Sequence, residues 1–146
     1  MAISFRANNA LPRFSLPIRV YYEDTDAAGV VYYGNYFKFM ERARTEWLEA
    51  LGFPLAAFER QYGVAFVVRR AEIDFLLPAR LNDRIAVSVE ALDHGACRLV
   101  VGQQVLRDAS TLANARMTLA CLDPVRWRPA RIPTPLAQLL RASDTA

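Results

Sequence analysis

The chain has 146 residues, of which 53% are hydrophobic, 11% aromatic and 23% charged, with a formal charge of +3. That length suits one domain that buries roughly two thirds of its unfolded surface without disulfides or a structural metal, and the composition excludes a disordered chain. A pI near 9.1, with arginines scattered rather than blocked, favours a small phosphorylated ligand over a nucleic acid. No apolar run approaches the roughly 18 residues of a membrane span.

Cys97 and Cys121 stand alone and far apart, with neither a CxxC pair nor a zinc spacing. They are expected to be free, buried thiols of a reducing, cytoplasmic compartment. Met1 to Leu16 has no continuous apolar stretch and reads as a frayed extension rather than a signal peptide. A single domain over 17–142 is expected to follow.

Pro17 to Glu23 alternates as a half-buried strand, with Ile18, Val20 and Tyr22 on one face. The loop from Asp24 to Gly34 is rich in small residues that let a ligand approach the backbone, and Asn35 is placed to cap a helix. Tyr36, Phe37, Met40, Ala43, Arg44, Trp47, Leu48 and Leu51 recur at helical spacing, so the helix has one strongly buried side. Gly52 and Pro54 end it. A short helix over Pro54 to Tyr62 would turn Leu55, Phe58 and Tyr62 inward.

Strands are expected over Val64 to Leu77, Arg84 to Leu92, Cys97 to Leu106 and Thr111 to Leu122. Turn-like segments separate them, with Pro78 to Asp83 and Arg107 to Ser110 read as tight reversals. Asp123 to Pro135 holds four prolines and reads as irregular, before one or two helical turns over Leu136 to Ala142. Such an order predicts an α+β fold, a five-stranded antiparallel sheet wrapped around one long central helix. The sheet edges and exposed aromatics invite pairing with a second copy, at least a homodimer.

The chemistry concentrates before the long helix. Asp24 and Asp26, two residues apart at a strand end, are not an equivalent pair, since in extended backbone they point to opposite sides. One account of Asp26 is a helix cap, although seven or more residues separate it from the helix. The other is catalytic: free N–H groups at Tyr33 or Gly34 polarise a carbonyl while Asp26 approaches it from the opposite side.

The wording of two segments bears on that choice. Arg19-Val20-Tyr21-Tyr22-Glu23-Asp24-Thr25-Asp26-Ala27-Ala28-Gly29-Val30-Val31-Tyr32-Tyr33-Gly34-Asn35-Tyr36, followed by Phe39-Met40-Glu41-Arg42-Ala43-Arg44-Thr45-Glu46-Trp47-Leu48, resembles hotdog-fold acyl-CoA thioesterases of the 4-hydroxybenzoyl-CoA thioesterase family, nearest the Tol-Pal-associated branch. These motifs span about a quarter of the chain. The resemblance implies side-by-side dimers, often paired into tetramers, with active sites at the dimer interface. It places the catalytic aspartate on Asp26 and the carbonyl-polarising backbone N–H on Tyr33, with Gly29 keeping the approach open. The chain departs from the Tol-Pal branch in carrying Tyr33 where that branch has histidine, and agrees there with the hydroxybenzoyl branch.

The implied reaction is hydrolysis of a short- or medium-chain acyl-CoA to a carboxylic acid and coenzyme A, Asp26 serving as nucleophile or general base without a metal or cofactor. An aromatic acyl-CoA is the alternative substrate. A non-catalytic module binding acyl-CoA or acyl carrier protein, peripherally at a membrane, is the alternative class. Tyr32 and Tyr36 are candidate substrate contacts. Glu41, Glu46 and Glu49 lie off the apolar stripe and read as solvated, Glu41 being the reserve base. His94 reads as a turn residue, with no nucleophile elbow to serve. Arg69, Arg70, Arg98, Arg107, Arg126, Arg128 and Arg131 form a pool of candidates for the phosphates of coenzyme A.

Overall fold

A computed structural model describes residues 13–144; the first twelve residues of the expected N-terminal extension lie outside them. Strand β1 (Phe14–Arg19) begins three residues before the expected Pro17, because Phe14, Leu16 and Ile18 alternate inward against the core. It also stops earlier: Tyr22–Asp24 is a single 3₁₀ turn, and Tyr22 is exposed rather than on the inward face. Helix α1 (Asn35–Ala50) follows, then α2 (Leu55–Tyr62), β2 (Ala65–Phe75), β3 (Arg84–His94), β4 (Arg98–Arg107), β5 (Ser110–Asp123), a two-residue β6 (Arg128–Pro129) and α3 (Thr134–Asp144).

The sheet has six strands in the order β1-β3-β4-β5-β2, with β6 added to the end of β5. The sixth strand is the departure from the expected five. A 123–128 hairpin puts a short antiparallel pair inside the segment read as irregular. All pairings are antiparallel. Arg107 faces Ser110, so β4 and β5 are joined by the expected tight reversal. Pro78 to Asp83 is not one. β2 pairs with β5 and β3 with β1 and β4, so this segment crosses from β2 at one edge of the sheet to β3, one strand in from the opposite edge.

The sheet curls around α1, whose Tyr36, Phe39, Met40, Ala43, Trp47 and Leu48 are buried against Val87, Val89, Leu99, Val101, Val105 and Met117. Trp47, 2% exposed, is core. One stripe position is corrected: Phe37 is 43% exposed and Phe39 is buried in its place. From Tyr36 the spacing of three and four residues reaches Phe39 and Met40, and the next residue after Tyr36 rotates away by about 100°. Phe58 of α2 stacks on Phe66 with ring centroids 5.6 Å apart, closing one end of the core, whereas Leu55 is exposed. Helix α3 runs three turns rather than one or two, with Leu136 and Leu140 fully buried. Among the described residues no helix is long and apolar enough to cross a membrane.

Candidate active site

The segment from Asp24 to Val31 folds into a tight reversal. Thr25 pairs with Val31 across it, the Asp26 N–H donates to the Val30 carbonyl at 2.9 Å, and the Gly29 N–H donates to the Asp26 carbonyl at 3.0 Å. Gly29 has φ of 78°, in the left-handed region, where a side chain would be strained. On the Asp26 carboxylate, Oδ1 accepts the Ala28 N–H at 2.8 Å. The side chain is exposed, and among the described residues Oδ2 has no partner. Asp24 differs: it is buried, and its Oδ2 accepts the Tyr21 N–H at 2.8 Å, holding the 3₁₀ turn.

The far limb of the reversal is tied to the crossover segment. The Val31 N–H donates to the Ala79 carbonyl at 2.8 Å, and Val30 bridges to Arg80. The chain then enters α1. The Asp24 carbonyl accepts both the Tyr32 N–H at 3.0 Å and the Asn35 side-chain amide at 2.8 Å. Asn35 is therefore not the cap expected from its residue type but the first helical residue, its amide already committed to Asp24. Gly34 occupies the cap position without a side-chain cap bond. Neither Asp24 nor Asp26 caps the helix, and the Tyr33 N–H has no acceptor among the described residues. That is an open donor at the positive end of a helix dipole. Gly34 also allows close packing here: a Cβ on it would lie 2.8 Å from Tyr32 Cε1.

Beside the helix start lies a groove of about 240 Å³ lined by Val31, Tyr33, Tyr36, Phe75, Leu76, Leu77 and Pro78. Tyr33 meets Tyr32 at 4.7 Å and Phe75 edge-on at 6.3 Å between ring centroids. The neighbouring Tyr33 hydroxyl pushes the Tyr32 phenol above its ordinary pKa. Tyr36 forms the inner wall, mostly buried, with its hydroxyl accepting the Ala79 N–H at 3.1 Å. Of the five expected site residues, Tyr33 and Tyr36 line the groove. Asp26 and Gly29 sit on the adjoining reversal, and Tyr32 packs behind Tyr33. The Phe75 to Pro78 wall was not foreseen. It comes from the end of β2, where Phe75 pairs with Ala113 of β5, and nothing local in the sequence joins it to the Asp26 segment.

The remaining candidates separate by their partners. Glu41 is exposed on α1 and borders a second cavity of about 340 Å³ with Arg44, Thr45, Leu48 and Phe66. Arg44 donates to the fully buried Gln103 at 3.0 Å, and burial, partly offset by Glu41, lowers its pKa. His94, at the end of β3, meets Asp144 of α3 at 2.6 Å. Arg70, Arg98 and Arg107 pair with Glu72, Asp93 and Asp83. Arg69, Arg126, Arg128 and Arg131 keep side chains with no acceptor among the described residues. Cys97 and Cys121 are free; burial first, and the neighbouring Cys97 second, push the Cys121 thiol up to about 11, so it is inert as a nucleophile.

Residues 20–140 match the model of the thioesterase-like superfamily, a span that takes in the reversal, α1 and the whole sheet beyond β1. The chain belongs to the thioesterase-like superfamily. It is an enzyme, a thioester hydrolase with the hotdog arrangement of sheet around helix. It is 39% identical over 120 residues to the acyl-CoA thioesterase YbgC of Haemophilus influenzae, covering 82% of this chain and 88% of that one. Among solved structures it is similar to a probable thioesterase from Bartonella henselae, at 31% identity and a TM-score of 0.79 over 84% of this chain and all (100%) of that one. It is also similar to Slr0204, a 1,4-dihydroxy-2-naphthoyl-CoA thioesterase from Synechocystis, at 27% identity and a TM-score of 0.81 over 91% and 98% of the two chains.

Proposed function

We propose that this thioesterase hydrolyses short- or medium-chain acyl-CoA, with Asp26 as the reacting carboxylate and the Tyr33 N–H as the carbonyl-polarising donor. One observation carries the reading: a carboxylate with one oxygen uncommitted and an uncapped helix N-terminus are held together by a single hydrogen-bonded reversal beside an apolar groove. In the transition state the thioester carbonyl gains negative charge, which a fixed N–H at a helix start stabilises. Asp26 either attacks that carbon, giving a mixed anhydride that water cleaves, or takes a proton from the attacking water. In both routes the C–S bond breaks and coenzyme A leaves as thiolate. Gly29 keeps the approach to Asp26 clear, and Tyr32, Tyr33 and Tyr36 contact the acyl group.

The likeness to the naphthoyl-CoA thioesterase, together with the Tyr33, Tyr36 and Phe75 rings at the groove, supports an aromatic acyl group as the second reading. Thiol release from thioesters spanning butyryl, palmitoyl and benzoyl decides between them, with the same acyl groups on acyl carrier protein testing that carrier. Asp26→Ala binding thioester yet releasing no thiol supports the assignment; turnover near that of the wild type overturns it. Unaltered binding with no release by the wild type indicates the non-catalytic module.

The working unit in this proposal is a homodimer joined through β2, paired again into a tetramer. β2 is an 11-residue edge strand carrying Val68 at 46% exposure, a long edge unpaired among the described residues and of the kind a second strand covers. Antiparallel pairing of two copies sets the Phe75 end of one beside the Phe66 to Val68 start of the other, bringing each groove to the other copy's 340 Å³ cavity. The free thiols agree with a cytoplasmic location.

A further inference from the structure

The two cysteines, far apart in sequence, meet in the sheet. The register of β4 on β5 runs Leu99↔Leu119 and Arg98↔Ala120, and one step further it sets Cys97 opposite Cys121. The Cys121 N–H donates to the Cys97 carbonyl at 2.8 Å, so the two stand in the hydrogen-bonded register of an antiparallel ladder, where Cα atoms lie about 5.5 Å apart. That separation falls at the commonest one for disulfide-bonded cysteines. Opposed residues share a face, and both lie two positions from the buried Leu99 and Leu119, on the inner side of the sheet. Cys121 belongs to the core, while Cys97 is half-buried and open to small molecules.

The backbone around the pair is pinned. The segment leading into α3 crosses it, the Ala130 N–H donating to the Cys121 carbonyl at 3.0 Å and the Ile132 N–H to the Ala96 carbonyl at 2.8 Å. Neither thiol lines the groove or the second cavity, and among the described residues no three His, Cys, Asp or Glu side chains are grouped to hold a metal. We infer that Cys97 and Cys121 form a reversible disulfide when the protein meets a hydroperoxide, stapling β4 to β5. Cys97 reacts first: its thiolate attacks the peroxide oxygen, the O–O bond breaks, and water or an alcohol leaves behind a sulfenic acid. The Cys121 sulfur then attacks the Cys97 sulfur. The S–O bond breaks, the hydroxyl departs as water with the Cys121 proton, and the S–S bond forms. Two thiols are oxidised and one hydroperoxide is reduced. Burial and a raised pKa make Cys121 inert toward reagents in solvent, but it needs only the one electrophile that the ladder holds beside it. Transient bonds of this kind are the disulfides that reducing compartments permit.

The chain has no other cysteine, so the test reads this pair alone. The full-length wild type, treated with a small excess of hydrogen peroxide, is expected to lose two hydrogen atoms by intact-mass spectrometry and to show no titratable thiol once denatured. Trypsin is expected to release fragment 85–98 linked to fragment 117–126, and dithiothreitol to restore the starting mass. The oxidised protein is expected to melt about 5–10 °C higher, because the bond closes a loop of the unfolded chain. Cys121→Ala is expected to stop at the Cys97 sulfenic acid, which dimedone traps, whereas Cys97→Ala keeps its Cys121 thiol through the same treatment. A wild type that gains oxygen on Cys97 while Cys121 stays reduced overturns the inference. So does one that does not react, one whose disulfide joins two chains, or one whose Tm fails to rise on oxidation.

Discussion

Two aspartates in this protein each lead a turn, one closed at the third residue on and one at the fourth, and end in different surroundings. In Asp123 one carboxylate oxygen accepts two backbone N–H groups and the carbonyl accepts a third, which shapes the β5–β6 hairpin. In Asp26 one carboxylate oxygen accepts the Ala28 N–H alone and the carbonyl accepts the Gly29 N–H, so the two residues differ by one hydrogen bond, and in each the second carboxylate oxygen has no partner among the described residues. The first turn stands away from any helix start, while the second is laced to the N-terminus of α1 through Asp24, Tyr32 and Asn35. What separates the two is position: the Asp26 turn is tied to a helix start with an open donor, the arrangement the proposed chemistry needs, and the Asp123 turn is not.

Breaking the open turn has the largest expected effect. Asp26→Asn keeps the Ala28 bond and the shape of the turn but removes the charge, and kcat should fall by roughly 10²–10⁴ with circular dichroism and oligomeric size unchanged. Tyr33→Pro removes an N–H that has no acceptor among the described residues, so it costs no native hydrogen bond; kcat should fall by about 10²–10³, while Tyr33→Phe stays close to wild type in the same assay. If the phenylalanine variant loses as much, the side chain and not the backbone is the donor.

Gly29→Val tests whether the reversal itself positions Asp26. The left-handed φ makes it cost about 1–2 kcal/mol in urea unfolding, and displacing the carboxylate should lower kcat about tenfold. The smallest effect belongs to Asp123. Asp123→Ala should leave kcat within error and lower thermal stability slightly at neutral pH. The Arg126 and Val125 N–H groups hold the Asp123 carboxyl below the usual carboxylate range. Its contribution is thus full above the unfolded pKa and lost as pH falls through the folded one, so the gap between the two proteins should close in acid. A gap that persists in strong acid would assign the turn's stability to something other than this ionisation.

Much of this was legible in the chain. The spacing from Tyr36 to Leu48 fixed the existence of α1 because burial follows the 3.6-residue period, and the β-branched runs after Gly63 named four strands to within a few residues. Boundaries erred where tertiary contacts outweighed local preference, as at Phe14, drawn into β1 by pairing with Val89. Asn35 read as a cap on its residue type, yet a carbonyl eleven residues earlier claims its amide. Half of the candidate site was readable in the same way, since Asp26, Gly29 and Tyr33 lie in one short segment. The Phe75 to Pro78 wall was not, because its place depends on which strand β2 pairs with.

What the sequence determined by itself was local and periodic: one long amphipathic helix, a strand-rich half, and a glycine-bearing acidic segment leading into the helix, each dictated by interactions within a few residues. Tertiary structure alone decided that Pro78 to Asp83 crosses the sheet rather than reversing, and that β2 ends beside the start of α1. It also decided that the Asp26 turn is tied to the start of α1 while the Asp123 turn is not. Those outcomes depend on hydrogen bonds and packing between residues tens of positions apart, and such partners are chosen only when the whole sheet closes around its helix.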